Sequence, residues 1–116
     1  MFQSHCISKA KFVDDDKIAY TLVYQKDMEK FSAGDDCMEG LTEKLRAIVT
    51  TRIAFVAKEM KSGATKISMR SKFADVAQIC GIFGGGGHRF AAGCTIKAPV
   101  EVAAKKILEE IKKSEI

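Results

Sequence analysis

The run Gly84-Gly85-Gly86-Gly87-His88-Arg89-Phe90-Ala91-Ala92-Gly93 departs from what folding alone selects. Ordering a glycine costs about 0.5–1 kcal/mol more than ordering an alanine in a regular element, so four in succession need an offsetting gain. Anion binding supplies one. Residues without a Cβ reach positive φ and let successive N–H groups converge on phosphate or carboxylate oxygens, and His88 would stand at the edge of such a nest. A second cluster, Ser68-Met69-Arg70-Ser71-Lys72, places hydroxyls and two cations at the end of a strand. Arginine forks planar donors onto a phosphate and lysine adds a point charge. If the two stretches meet in space, they form an anion pocket. Plainer readings stand beside this one. Four glycines also describe a flexible connector, although the flanking Ile82-Phe83 and Phe90-Ala91-Ala92 belong in a core. A histidine beside a loop is often structural, and an arginine on a strand often pairs with a surface carboxylate.

Other chemistries lack support. No Walker lysine follows the glycines and no G-x-G-x-x-G follows a strand, which disfavours a nucleotide-hydrolysing P-loop and a dinucleotide site. There is no G-x-S-x-G elbow. His5 beside Cys6, or His88 with Cys94, would make a thiol nucleophile pair only if the fold brought them together. Cys6, Cys37, Cys80 and Cys94 contain no C-x-x-C pair, so free, mostly buried thiols in a reducing cytoplasm are expected. Asp14-Asp15-Asp16 reads as a solvated turn rather than a metal site. The net charge of +4 favours anionic partners without proving a nucleic-acid binder. No apolar run is long enough to span a bilayer.

The elements that must position these residues follow from periodicity. The 116 residues contain one proline and no repeat, which fits one domain filling the chain. Cys6–Val13 and Ile18–Tyr24 flank the aspartate turn as a hairpin, with Ile18, Tyr20, Leu22 and Tyr24 on one face. Asp36 and Glu39 resemble a capping box before a helix over Cys37–Val49. Ile53–Ala57 is apolar on both faces, as a central strand would be. Thr65, Ile67 and Met69 alternate with Lys66, Ser68 and Arg70 in the next strand. Ala74–Phe83 carries apolar residues at helical intervals, Phe90–Ile96 makes a further strand, and Pro99 opens a helix lined by Val100, Ala103, Ala104, Ile107, Leu108 and Ile111. The expected fold is a single α/β domain with a mixed sheet of four to five strands and about three helices.

Gly85-Gly86-Gly87-His88-Arg89-Phe90-Ala91-Ala92-Gly93 resembles the G-G-G-H-x-x-A-A-G signature of the DHH-associated domain of DHH-family phosphoesterases. Ile67–Lys72 is similar to that family's strand ending in Arg-Ser, and Ala74–Ala77 to the helix leading into the glycines. Glu39-Gly40-Leu41 and Leu45-Arg46-Ala47-Ile48 also fit the oligoribonuclease and pAp-phosphatase branch. The resemblance implies that residues 1–116 are the substrate-binding domain. The Asp-His-His motif and two manganese ions would belong to an N-terminal catalytic domain of the parent chain, since no such motif occurs here. It makes Arg70 and Ser71 phosphate or terminal-nucleotide contacts. The amides of Gly85, Gly86 and Gly87 and His88 would line the same pocket, while Ala91, Ala92 and Gly93 let backbones approach closely. The implied partner is short single-stranded RNA or DNA or a nucleotide phosphate, bound without hydrolysis, with no catalytic residue, metal or cofactor in this chain and no membrane contact. A single-strand DNA exonuclease or a cyclic-dinucleotide phosphodiesterase shares the glycine signature, and a related module occurs in alanyl-tRNA synthetases. A stand-alone interaction domain is the reading from another class.

Overall fold

Strands that are apolar on both faces need helices above and below them, and the chain supplies both layers. A computed structural model describes residues 2–15, 17–30, 37–48 and 51–114. In chain order the elements are α1 (Phe2–Ser8), β1 (Lys11–Val13), β2 (Ile18–Val23), α2 (Gln25–Lys30), α3 (Cys37–Arg46), β3 (Ile53–Glu59), β4 (Thr65–Ser71), α4 (Val76–Ile82), β5 (Gly86–His88), β6 (Ala91–Ile96) and α5 (Val100–Lys113). The six strands form one mixed sheet in the order β1-β2-β3-β4-β6-β5. β2 and β3 are parallel and the other neighbours antiparallel.

Side-chain alternation sorts the core into two layers. Ile53, Phe55 and Ala57 of β3, with Ile67 and Met69 of β4, pack against Val76, Ile79 and Cys80 of α4 and against Ala103, Ala104, Ile107 and Ile111 of α5. Tyr20 and Phe55, register partners on the parallel strands, stack with ring centroids 4.9 Å apart. On the opposite face Ala54 and Val56 of β3 and Ala19 and Val23 of β2 meet Leu41 and Leu45 of α3, Cys6 of α1 and Met28 of α2. The expectation of a central strand buried on both faces therefore holds for β3, as does the alternation of β4.

Several expectations need correction. The sheet has six strands rather than four or five, and the described residues contain five helices rather than about three. Cys6–Val13 is not one strand. Phe2–Ser8 is helical, because Cys6 is buried beside α3 and its carbonyl accepts a hydrogen bond from Thr21 Oγ1 at 2.9 Å, which leaves only Lys11–Val13 to pair with β2. The aspartate turn between β1 and β2 is present, with Asp14 and Asp15 at φ of 54° and 56°, a conformation Asp tolerates better than most residues. Asp16, Asp36 and Val49 lie outside the described residues, and the capping box with them. α2 was missed because six residues are too few to display a helical period. The glycine run was expected to stay a loop, yet Gly86–His88 is a strand.

Gly85 lies so close to β6 that an added Cβ would sit 2.2 Å from the Gly93 carbonyl oxygen and 2.8 Å from Cys94 Cα, whereas one on Gly81 would meet nothing within 4 Å. Gly85→Ala should therefore lower stability by about 1–3 kcal/mol through backbone displacement. Gly81→Ala, in the exposed face of α4, should raise it by up to about 1 kcal/mol. Urea unfolding midpoints of the two variants check both signs.

Candidate functional site

The four glycines divide into two structural tasks. Gly84, at φ +83°, follows the α4 C-cap Phe83, and the Gly84 and Gly85 amides donate to the Gly81 and Cys80 carbonyls, both at 3.0 Å. This is the paired hydrogen-bond pattern that closes a helix with a left-handed residue. Gly86, Gly87 and His88 then run antiparallel to β6, opposite Gly93, Ala92 and Ala91. The Ser71 amide donates to the Phe90 carbonyl at 3.0 Å. Antiparallel alternation therefore turns the polar groups of Ala92 and Cys94 toward β4, and those of Ala91 and Gly93 toward β5. The backbone of β6 is thus committed on both sides. The Gly84 and Gly85 amides are taken up by α4, so the four glycine amides do not converge into one nest.

The same alternation shows which side chains meet. His88, Ala91, Arg70 and Ala54 lie in one row across β5, β6, β4 and β3 and share a face; Gly86, Gly93 and Ser68 form the next row on that face. α3 packs on this face against β2, β3 and β4, while α4 backs β5 and β6 from behind. The result is an open shelf floored by Ala91, Gly93 and Gly86. Arg70 and Ser68 stand on the α3 side and His88 on the outer edge. The floor is bare because its residues have one methyl group or none.

Arg70 is half-buried at the inner edge. Its Nη1 donates to the Met69 carbonyl at 3.2 Å and its Nε lies 3.6 Å from Glu43 Oε2. Glu43 is bound more closely by Arg46, one helical turn on. The Arg46 hydrogen bond is the main reason that the Glu43 carboxyl titrates below its usual range, and Arg70 contributes least. Ser68 accepts a hydrogen bond from Thr42 Oγ1 at 3.2 Å. The exposed His88 side chain forms no hydrogen bond or ion pair with a described residue.

Other nominated residues lie elsewhere. Ser71 is buried on the opposite face, where its hydroxyl donates to the Ala74 carbonyl. Ala92 points into the α4–α5 core. Gly85 and Gly87 contribute close backbone approach: a Cβ on Gly87 would lie 2.7 Å from the Ala91 carbonyl oxygen. Lys72 Nζ donates to the Ile48 carbonyl at 2.8 Å, tying down the segment before β3. Cys94 is buried beside Cys80 on the core face, so His88 and Cys94 form no catalytic dyad. Glu43 and Thr42 were not foreseen as site residues, and no local pattern links them to Arg70 or Ser68. Among the described residues no group of three or more His, Cys, Asp or Glu could hold a metal ion, and no helix is long and apolar enough to cross a membrane.

Residues 15–114 match the family model of the DHHA1 domain. Among solved structures the chain is similar to an exopolyphosphatase-related protein from Bacteroides fragilis, with a TM-score of 0.88 and 23% identity over 97% of this chain and 33% of that one. A pGpG-specific phosphodiesterase from Vibrio cholerae matches with a TM-score of 0.61 and 14% identity, over 96% of this chain and 38% of that one. The C-Ala domain of alanyl-tRNA synthetase from Aquifex aeolicus matches with a TM-score of 0.63 and 20% identity, over 89% of this chain and 96% of that one. The chain thus spans about a third of the length of the first two.

Glu43 offers a test of the electrostatics. Its folded pKa is depressed, so its contribution to stability is present above its ordinary value of 4.5 and is lost as pH falls through the lower folded value. Glu43→Gln should cost up to about 1 kcal/mol at pH 7, the range of exposed ion pairs, and progressively less as pH falls through the lowered folded value. Urea midpoints of the two proteins should converge on acidification.

Proposed function

Because the chain belongs to the DHHA1 domain family, we propose that it is the substrate-gripping domain of a DHH-type phosphoesterase and holds the phosphate of a nucleotide or the end of a short oligonucleotide. The observation that carries this reading is the row in which Arg70 and His88 flank the methyl-sized Ala91 on an open face. Their backbones are two strand spacings apart, about 10 Å. A phosphate between them can take the planar fork of Arg70 and an N–H of His88. Gly86 and Gly93 keep the floor low enough for the sugar, while Ser71, Ala92, Gly85 and Gly87 fix the strands that present the grip.

The substrate class is a short oligoribonucleotide or pAp. Similarity to a protein whose name specifies the linear dinucleotide pGpG supports a short, phosphate-ended ligand. The same grip would serve a single-strand DNA exonuclease or a cyclic-dinucleotide phosphodiesterase. A metal centre, manganese in this reading, belongs to a separate catalytic domain of the parent. The residues described here do not fit one, and this chain's part is to bind and orient. The free thiols of Cys6, Cys80 and Cys94 support a reducing, cytoplasmic setting. Likeness to nearly the whole of the C-Ala domain favours, as the second reading, a binding module without an attached hydrolase.

Arg70→Ala should weaken binding of pAp, measured by calorimetry, by about 10- to 100-fold, the effect of losing a charge-assisted contact of about 1.5–3 kcal/mol. Unchanged affinity at moderate salt would count against the grip. The 116-residue chain supplied with manganese should release no mononucleotide from a short oligoribonucleotide. In the full-length enzyme His88→Ala should raise KM if the imidazole grips the ground state, and lower kcat if it serves the transition state.

A further inference from the structure

The core beneath β6 holds two thiols that the phosphate grip does not use. Cys80, in α4, is fully buried and Cys94, in β6, is 7% exposed; both belong to the core layer between the sheet, α4 and α5. Gly85 brings them together. Its N–H donates to the Cys80 carbonyl at 3.0 Å, and a Cβ on it would lie 2.6 Å from Cys94 Cβ. A side chain there would wedge α4 away from β6, and its absence lets the two sulfurs meet. The Cys80 thiol donates a hydrogen bond to Cys94, which holds the Cys80 pKa above the ordinary cysteine value, with burial adding to it, and lowers that of Cys94. Cys6 lies in the other core layer, across the sheet from both. A buried cysteine ordinarily serves as a small apolar group. Two in contact can also react, with thiolate character and access deciding which sulfur goes first.

We propose that Cys80 and Cys94 are a modification site, forming a reversible disulfide that staples the end of α4 to β6 when the chain meets a hydroperoxide. The inference does not depend on the phosphate grip. The Cys94 thiolate attacks one oxygen of the hydroperoxide, the O–O bond breaks, and the other oxygen leaves as water or an alcohol with the proton the thiol gave up. The Cys80 sulfur then attacks the Cys94 sulfenic acid; the S–S bond forms, the S–O bond breaks, and hydroxide leaves with the Cys80 proton as water. Two thiols are oxidised by two electrons in all, and one hydroperoxide is reduced by two. Once Cys94 is a sulfenic acid it no longer carries the charge that helps to hold the Cys80 proton. Entry is from the edge of the sheet. β5 pairs with β6 alone and its residues are exposed, so local opening of Gly85–His88 uncovers Cys94 while Cys80 stays covered by the core. The closed ring spans residues 80–94 and so contains the α4 C-cap, all four glycines and His88. Cross-linking restricts that segment in the unfolded chain, and a dithiol reverses it by exchange.

The test treats two proteins with hydrogen peroxide: the wild-type 116-residue chain, and Cys6→Ala with Cys37→Ala, which retains only the two thiols in question. The variant should lose the mass of two hydrogen atoms per chain, and peptide mapping without reductant should join Cys80 to Cys94 in both proteins. The linked variant should unfold about 5–10 °C above its reduced form, and dithiothreitol should restore both mass and midpoint. Adding Cys80→Ser to the variant should let the Cys94 sulfenic acid accumulate, where dimedone traps it, and should abolish the linkage. Wild-type mapping keeps the test decisive if the variant folds poorly. Thiols at Cys80 and Cys94 that remain free after peroxide, a disulfide between chains, or pairing of either sulfur with Cys6 or Cys37 in the wild type would overturn the proposal. So would a linked chain that melts below the reduced one.

Discussion

The contact between Gly85 and β6 is the constraint on which the site depends. The Gly93 carbonyl and the Cys94 backbone occupy the space where a side chain at Gly85 would stand. Without that approach the chain leaving α4 could not turn directly into β5. His88 would then not lie level with Ala91 and Arg70. The conformational cost of the glycine run is thus offset by geometry. Two glycines end a helix and begin a strand within three residues, and the imidazole is placed by backbone pairing alone.

This changes what the glycines do. In an anion nest they would donate amides to the ligand. Here the Gly84 and Gly85 amides serve α4, and β6 is hydrogen-bonded on both sides. In the grip proposed above, Arg70 and His88 would meet the charge, while the glycines and Ala91 would provide access. Glu43 sits between these functions. It stays ionised because Arg46 holds it, and it touches Arg70 only at 3.6 Å, which leaves most of that guanidinium's donors for another oxyanion.

Much of this was legible in the sequence, for physical reasons specific to each element. The two-sided apolar run of β3, the alternation of β4 and the stripe of α5 record burial directly. β5 could not be read, because glycine has no strand propensity and its pairing is imposed by β6. α1 was misread because Cys6 and Ile7 suit either period over so short a segment. Arg70 and His88 were nominated from motif and chemistry, yet their shared face depends on a register between strands that are distant in sequence. Ser71 is different. The alternation that placed Met69 inward also placed Ser71 inward, so its departure from the shelf was implicit in a pattern already visible.

The two jaws of the shelf differ in how firmly they are hinged. Arg70 belongs to β4, clamped between β3 and β6 and anchored in the core through Ile67 and Met69. His88 belongs to a three-residue edge strand whose other members lack side chains. Local opening free energies follow such differences in anchorage, so the outer jaw can peel away and reclose without cooperative unfolding of the layers beneath. In the proposed grip, a cation on a central strand opposite an imidazole on a short edge strand would let cargo enter and leave sideways at the sheet edge.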